Sequence, residues 1–572
     1  MSKSNKTSDK PTAAMLSAIA AAKGMRYTVI SSGSRNAPLV IAFDAQKEIE
    51  CLSVIDERSA AFFALGIAQQ TNLPVAVICT SGSAVLNYAP AVVEAFYQKI
   101  PLIVITADRP PEWIDQDDGQ TIRQQNIFSN YCKGSFNMPV EANHADDNWY
   151  AQRLISEAFN LATEPGNEGP VHINVPFRDP LYKEVEKSVE EYKIIDVPNI
   201  ERRLTTEQEK KLLGTWIDSK KIMVIVGLHK PDKELTNLLD TVASNQSVVI
   251  VTETTSNMQG DKFVGNIDAA LDSLKEEDKK AFHPELLISL GGPVTSKKLK
   301  LYLRKYKPSQ HWHISVAAEH TDTFQSLTHA LPVDEKYLFN LFSGQHHDTI
   351  GNYAEHWQSA STKAYKELGT YCKAIPFTDM KAMDVIMKHI PQNSDVHLGN
   401  SSPVRYANLF ETDSKNGIHY YCNRGVSGID GITSTALGSA YATDKMTTLV
   451  TGDLAFFYDS NALWNKYLCD NFRMIIINNR GGGIFRLIDS KDTPLLEKYF
   501  EAKHSMKAEE LVKAHDIPYY SAKNEDELKQ AFNKLYADHK GKPAVLEVFT
   551  PNEENANTWA GYFNSLKNEN GK

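Results

Sequence analysis

Short continuous apolar runs alternate with amphipathic stretches along most of this chain. In the first third, runs near 26–31, 51–55, 74–79, 101–106 and 170–175 read as strands, and stretches near 37–45, 57–70 and 83–97 read as helices. A strand buried on both faces has no polar side to alternate with, so it is apolar throughout; such strands belong to parallel sheets covered by helices. The pattern returns with KIMVIVGL (221–228), SVVIVT (247–252), ELLISLGG (285–292) and HWHIS (311–315). It returns again with DVHLGN (395–400), IHYYCN (418–423), TTLVTGD (447–453), RMIIINN (473–479) and PAVLEVF (543–549). The expected fold is α/β, with three doubly wound parallel-sheet domains at 1–185, 205–345 and 375–572. The charged run 183–204, which contains Pro198, reads as the first linker, and a polar region at 344–358 precedes the third domain. His346, His347 and Asp348 lie in that polar region without a second ligand group, and read as loop rather than as a metal cluster.

Composition narrows the range of functions. At 572 residues the chain exceeds what one core can hold. The net charge is −10 and no Lys/Arg-rich run stands out. Nucleic acid is therefore disfavoured as a partner, because binding to a phosphate backbone relies on clustered positive charge. A small anion is not excluded, since a few buried arginines reverse the field locally. The six cysteines include no C-x-x-C, so neither a disulfide framework nor a thiolate metal site is suggested, and a cytoplasmic protein is expected. No apolar run is long enough to suggest a membrane span. Lys3, Lys6 and Lys10 ahead of TAAMLSAIAAAKG (12–24) superficially resemble a secretory leader. That segment runs straight into the first strand, however, and reads better as an alanine-rich first helix.

Ligands of parallel α/β sheets bind at the carboxyl ends of the strands, so the chemistry is expected in the loops that follow them. In TGDLAFFYD (451–459), Asp453 ends an apolar strand; Asn479 lies 26 positions later at the end of the next, and Gly481 follows. A hard divalent cation takes oxygen ligands and keeps substrate phosphates in its shell. The Asp453 carboxylate, the Asn479 amide oxygen and the Gly481 carbonyl supply such a set, and glycine-rich backbone offers N–H donors to phosphates. A lone Gly-Asp at a strand end is also a common turn with a helix cap. Glu57 follows the strand at 51–55 and opens a helix. An acid there is favourable in any protein, by about 0.3–1 kcal/mol. The functional alternative is a buried carboxylic acid that shares its proton with a cofactor ring nitrogen.

An acid-bearing α/β unit, a middle α/β unit and a Gly-Asp…Asn-Asn unit, in that order, resemble the thiamine diphosphate-dependent decarboxylase superfamily over nearly the whole chain. SSGSRNAPL (31–39), TSGSAVLNYAPAVVEA (80–95), ITADRPPE (105–112), GQTIRQ (119–124) and CNRGVSGIDG (422–431) narrow the resemblance. They look like the 2-succinyl-5-enolpyruvyl-6-hydroxy-3-cyclohexene-1-carboxylate synthases of menaquinone biosynthesis. The resemblance implies a pyrimidine-binding, a central and a diphosphate-binding domain, thiamine diphosphate with Mg²⁺ or Mn²⁺, and a homodimer or homotetramer with active sites between subunits. In that family 2-oxoglutarate is decarboxylated on the cofactor, and the succinic semialdehyde carbanion adds to isochorismate with release of CO₂.

Carried over by position, Glu57 is the acid that activates the aminopyrimidine, and Asp453, Asn479 and Gly481 hold the metal. Ser427, Gly428, Gly452 and Leu454 line the cofactor, Ile429 is the wedge that holds its two rings in a V, and Ile484 and Phe485 line the pocket at the reactive carbon. Arg405 and Arg424, with Ser401, fit the contacts to the succinyl carboxylate. Ser34, Arg35, Arg109 and Gln120 match positions facing isochorismate, and Ser34, Arg35 and Gln120 are counted with Glu57 among the catalytic residues. An arginine fork grips a carboxylate bidentately, and a charge-assisted bond contributes about 1.5–3 kcal/mol. In one departure from the pattern, a Lys-Arg pair of the middle domain is replaced in SKKLK (296–300) by Lys297 and Lys298, which keep the charge and lose the planar fork. Two other readings stand beside this one. A relative such as an acetohydroxyacid synthase would take pyruvate, which has no distal carboxylate. A silent nucleotide-binding or scaffolding protein would bind no thiamine diphosphate.

Overall fold

The apolar runs become three parallel sheets in the computed structural model, which describes residues 6–187, 191–345, 351–412, 416–487 and 493–568. After β1 (Lys6–Ser8) come β2 (Tyr27–Ile30), β3 (Glu50–Ser53), β4 (Val75–Cys79), β5 (Leu102–Asp108), β6 (Ser135–Asn137) and β7 (Val171–Pro176). They form a six-stranded sheet in the order β3-β2-β4-β5-β7-β6. β8 (Glu184–Glu186) returns to pair antiparallel with β1. The second sheet is β10-β9-β11-β12-β13, built from β9 (Ile222–Val226), β10 (Val248–Thr252), β11 (Leu286–Leu290), β12 (Gln310–Ile314) and β13 (His329–Leu331). The third is β15-β14-β16-β17-β19-β18, from β14 (Asp395–Leu398), β15 (His419–Tyr421), β16 (Thr447–Gly452), β17 (Phe472–Asn478), β18 (Tyr519–Ala522) and β19 (Ala544–Phe549).

In each sheet the second strand is laid down on one side of the first, and the third strand on the other side. That reversal opens a crevice at the carboxyl ends of β2 and β4, of β9 and β11, and of β14 and β16. A glycine brings the two loops of each crevice together. A Cβ on Gly33 would lie 2.3 Å from the Thr80 Cβ, one on Gly227 would lie 2.0 Å from the Gly292 carbonyl oxygen, and one on Gly399 would lie 2.8 Å from Thr451 Oγ1.

Two compact units result. One comprises Met1–Asn199, Asn423–Asp444 and Ala455–Phe472; the other comprises Ile200–Cys422, Lys445–Leu454 and Arg473–Lys572. In the first unit the alanine-rich helix Pro11–Ala22 is part of the core, burying Ala13, Leu16 and Ile19 in a cluster with Phe43, Ile78 and Phe159. The helix expected over 83–97 is two helices, Ser83–Asn87 and Ala89–Gln98, because Pro90 has no N–H with which to continue the first. His346, His347 and Asp348 lie outside the described residues. Among those described, no helix is long and apolar enough to cross a membrane.

The second sheet carries two cores, with Trp216, Trp312 and Phe342 in one and Phe324, Tyr302 and Trp357 in the other. Ser289 lies within hydrogen-bond distance of both His311 (2.8 Å) and His313 (3.0 Å). Burial, and then the neighbouring His313, hold His311 down at about 4. Between its ordinary value near 6.5 and about 4, the unfolded chain takes up a proton that native His311 refuses. Native stability therefore falls as pH drops through that window, by about 3 kcal/mol at most from this group. The drop in urea-unfolding midpoint from pH 7 to pH 4.5 should accordingly be smaller in His311→Gln than in the parent. Equal drops would place the acid sensitivity elsewhere.

Candidate active site

The metal-binding candidates fall in the second unit, at the crevice between β14 and β16. Asp453 is buried and opens the helix Asp453–Tyr458 directly from β16. One carboxylate oxygen accepts from the Leu454 N–H (2.7 Å); the other accepts from the Gly481 N–H (3.0 Å) and lies 3.2 Å from His504 Nε2. Asn479 follows β17, and its Nδ2 donates to Asp379 Oδ2 (3.0 Å). That bond orients the amide, leaving Asn479 Oδ1 buried with no hydrogen-bond partner among the described residues. An unsatisfied buried acceptor costs about 1–3 kcal/mol, and proteins rarely leave one. Asp379 is itself held by the Thr550 hydroxyl, and burial raises its pKa to about 6.

Gly481 has φ +152°, and a Cβ there would lie 2.6 Å from the Glu501 carbonyl oxygen, so the turn admits only glycine. Buried Glu501 also binds Arg486 and Asn552, pinning the loop that carries Ile484 and Phe485. Both of those side chains are half-buried, with the Phe485 ring 5.7 Å from Phe500. A carboxylate, an orphaned amide oxygen and a backbone carbonyl fit a hard divalent cation that retains phosphate oxygens. Among the described residues no cluster of three His, Cys, Asp or Glu offers a softer site. A cavity of about 790 Å³ borders Asn479, its lining carrying Arg480, Lys503, Lys507 and Lys523 against Glu553 and Glu554.

Ser401, at the end of β14, has φ +74°, a conformation disfavoured for any side chain and commonest at functional sites. Arg405 reaches back from the next helix to the Ser401 carbonyl. Lys297 and Lys298 start the helix Lys297–Lys305. Lys298 is already engaged, 2.8 Å from Asp272 Oδ2 and over the Phe563 ring, while Lys297 is exposed.

In the first unit Glu57 opens the helix Glu57–Thr71, whose N-cap is Asp56, accepting from the Ser59 N–H (2.9 Å). The expected full burial of Glu57 is not found; within this unit it is half-buried at the helix start. The helix Ile432–Tyr441 packs against it through glycines. A Cβ on Gly66 would meet the Thr435 carbonyl oxygen at 2.0 Å, and one on Gly438 would meet the Phe63 carbonyl oxygen at 2.0 Å. Gly431 has φ +68° and lies against the Phe62 ring, so both helices start at the same end of the contact. One short segment ties both starts together. Asp459 accepts from the Ser434 N–H (2.7 Å), and Asn461 donates to Asp56 (2.7 Å).

The preceding loop holds Arg424, which is buried, and Ser427 at φ +64°, followed by Gly428 and a half-buried Ile429. An isoleucine left partly uncovered suits a surface against a ligand better than a packed core. Both oxygens of buried Glu94 hold this loop, accepting from the Gly425 (2.7 Å) and Val426 (2.8 Å) N–H groups.

At the carboxyl edge of the first sheet, Ser34 and Arg35 follow β2 and Arg109 follows β5. Arg35 is 6% exposed and donates to the Phe177 carbonyl (2.9 Å), with Asp179 at 3.7 Å. Arg109 meets Asp118 (3.2 Å) and the Gly119 carbonyl (3.2 Å). Burial, and then the charge of Arg109, pull Arg35 below the usual guanidinium value. Two guanidinium groups that repel each other in a partly desolvated crevice make a place for an anion. Gln120 sits beside them at φ +54°, and Gly82 packs against its backbone.

Comparison with known proteins agrees with this arrangement. Residues 11–128 match the N-terminal TPP binding domain of thiamine pyrophosphate enzymes, and residues 403–548 match the C-terminal TPP binding domain. A Flavobacterium psychrophilum protein named 2-succinyl-5-enolpyruvyl-6-hydroxy-3-cyclohexene-1-carboxylate synthase is 44% identical, over 97% of this chain and 99% of its own length. Proteins of the same name from Christiangramia forsetii and Flavobacterium johnsoniae are each 42% identical, over 98% and 96% of this chain and 100% and 97% of their own lengths. This chain belongs to that synthase family.

Four further carboxylates hold the loops of this synthase-family site; Glu94 and Asp459 fall inside the stretches 80–95 and 451–459, yet spacing gives none of the four a role. Asp379, Glu94, Asp459 and Glu501 act through amides, hydroxyls or backbone N–H groups. Only Glu94 left a trace in the sequence: a single acid in the apolar stretch APAVVEAF (89–96) is the kind of buried charge that needs a partner.

Proposed function

We propose that this chain is a thiamine diphosphate-dependent synthase that decarboxylates 2-oxoglutarate and joins the remaining succinic semialdehyde unit to isochorismate. The products are 2-succinyl-5-enolpyruvyl-6-hydroxy-3-cyclohexene-1-carboxylate and CO₂, in menaquinone biosynthesis. The observation that carries this reading is the orphaned Asn479 Oδ1 beside Asp453, in a chain whose two ends match thiamine pyrophosphate-binding domains. Asp453, Asn479 and the Gly481 carbonyl would hold Mg²⁺ or Mn²⁺ on the diphosphate; Gly452, Leu454, Ser427 and Gly428 would line the cofactor. Thiamine diphosphate, when bound, supplies the nucleophilic carbon and the electron sink that loss of CO₂ from a 2-oxo acid requires.

The chain's own groups do the rest. Glu57 holds a proton at the pyrimidine ring nitrogen, and the remainder of its surface is covered on assembly. Ile429 would support the cofactor from below as an apolar surface, and Ile484 and Phe485 would keep water from the reacting carbon. Arg405, Arg424 and Ser401 grip the distal carboxylate of 2-oxoglutarate. Arg35 and Arg109 hold the carboxylates of isochorismate, with Ser34, Gln120 and the two lysines 297 and 298 beside them. We assign residues 1–185, 205–345 and 375–572 to pyrimidine-binding, central and diphosphate-binding domains. The working form is a cytoplasmic homodimer or homotetramer whose sites each draw on two subunits.

The deciding assay follows CO₂ and product from 2-oxoglutarate, with and without isochorismate, omitting cofactor and metal in turn. Turnover with pyruvate and none with 2-oxoglutarate plus isochorismate would overturn the substrate assignment. Arg405→Ala is expected to raise the 2-oxoglutarate KM by about thirtyfold or more, the equivalent of about 2 kcal/mol or above for a buried charge pair. An unchanged 2-oxoglutarate dependence would place the distal carboxylate elsewhere.

A further inference from the structure

Beneath the arginine crevice of the first sheet, Gln124, Asn174 and Asp108 form a buried amide–carboxylate chain. Gln124 is 0% exposed, and its side chain makes three bonds. Its Oε1 accepts from the Gly82 N–H (3.0 Å), and its Nε2 donates to the Ala107 carbonyl (3.0 Å) and to Asn174 Oδ1 (3.0 Å). Asn174 passes the connection on, donating to Asp108 Oδ2 (2.8 Å), and Asp108 Oδ1 accepts from the Arg109 N–H (2.8 Å). One glutamine therefore links the turn after β4, the end of β5 that launches Arg109, the middle of β7 and its own loop.

That loop needs a restraint. Asp115, Asp117, Gln120 and Asn126 all have φ between +54° and +61°, a region that Asp and Asn enter readily and Gln does not. Gln120 persists in that region only where the surroundings over-determine the backbone. Gly82, fixed by Gln124, packs on the Gln120 backbone from the other side, where a Cβ would come within 3.2 Å.

We propose that Gln124 is a positioning residue for the ring substrate, holding Gln120 and Arg109 in register with Arg35 for the carboxylates of isochorismate. This rests on the assignment of isochorismate to that crevice. Because its bonds end at the Arg109 backbone and at the turn packed on Gln120, its loss should fall more heavily on isochorismate than on 2-oxoglutarate. Gln124→Met, which fills the space and removes the bonds, should raise the isochorismate KM about tenfold, while the 2-oxoglutarate KM and CO₂ release from 2-oxoglutarate alone stay within about twofold. Gln124→Asn, which keeps the polar atoms on a shorter stem, should fall between the two and decides the case if the methionine variant does not fold. Equal effects on both substrates, no effect on either in a folded variant, or two variants that fail to fold would reduce Gln124 to a stability role and overturn the proposal. Failure of the parent protein itself to consume isochorismate would instead remove the substrate assignment, whatever the variants do.

Discussion

Replacing Glu57 with glutamine is expected to leave a folded protein that still binds thiamine diphosphate but has lost about 10²–10⁴ of its turnover. The fold should survive because the helix cap is Asp56 and not Glu57. Binding should survive because the residues proposed to hold the diphosphate and its metal, Asp453, Asn479 and Gly481, are left unchanged. Glutamine can still hydrogen-bond a ring nitrogen, but it has no proton to share with it, so the loss should appear in kcat far more than in KM. Steady-state rates beside a cofactor titration would show this, and a near-parental kcat would remove Glu57 from the mechanism.

Asp453→Asn should act on the opposite property. Asparagine keeps an oxygen to accept from Leu454 or Gly481, so the turn is preserved, whereas the negative charge on the cation is lost. We expect half-saturation with thiamine diphosphate, followed by quenching of tryptophan fluorescence, to require about a hundredfold more Mg²⁺. Saturation at the parental Mg²⁺ level would mean that the cation lies elsewhere. The two variants also test the assembly together. If each site takes Glu57 from one subunit and Asp453 from another, a dimer carrying one substitution per chain has one site with both defects and one with neither. Purified through two different tags, that mixed dimer should recover about half of the parental rate, although each variant alone is nearly inactive. No recovery would confine each site to a single chain.

What could be read from the chain in advance was what depends on local pattern. The central strands were visible because burial on both faces makes them apolar throughout, as in β4, β5, β9 and β17. β6, β13 and β18 were not, being three or four residues long and placed at sheet edges, where polar residues are tolerated. β1 and β8 are invisible for a further reason: each is three residues, and the partners are separated by most of a domain. At the site, the metal-binding candidates and the arginines could be named because the stretches that carry them resemble a known family and follow the ends of apolar strands. The carboxylates that hold those loops could not. Asp379 reaches Asn479 across 100 positions, and Glu94 reaches Gly425 across 331, distances over which spacing carries no information. Glu57 was recognised by position, while its degree of burial depends on what covers the helix start, which the chain's own pattern does not specify.

The glycine contact between the helices Glu57–Thr71 and Ile432–Tyr441 sets how closely their two backbones lie. Gly66 sits nine residues, about 13 Å along the helix, from Glu57, and Gly438 meets the same helix at Phe63, nearer its start. A bulkier residue at either glycine would push the helices apart, and a shift of about 1 Å at Glu57, in the role proposed for it, would cost roughly a hundredfold in rate. Catalysis in this family member is thus exposed to substitutions that touch neither coenzyme nor substrate, and Gly66 and Gly438 are where that exposure is greatest.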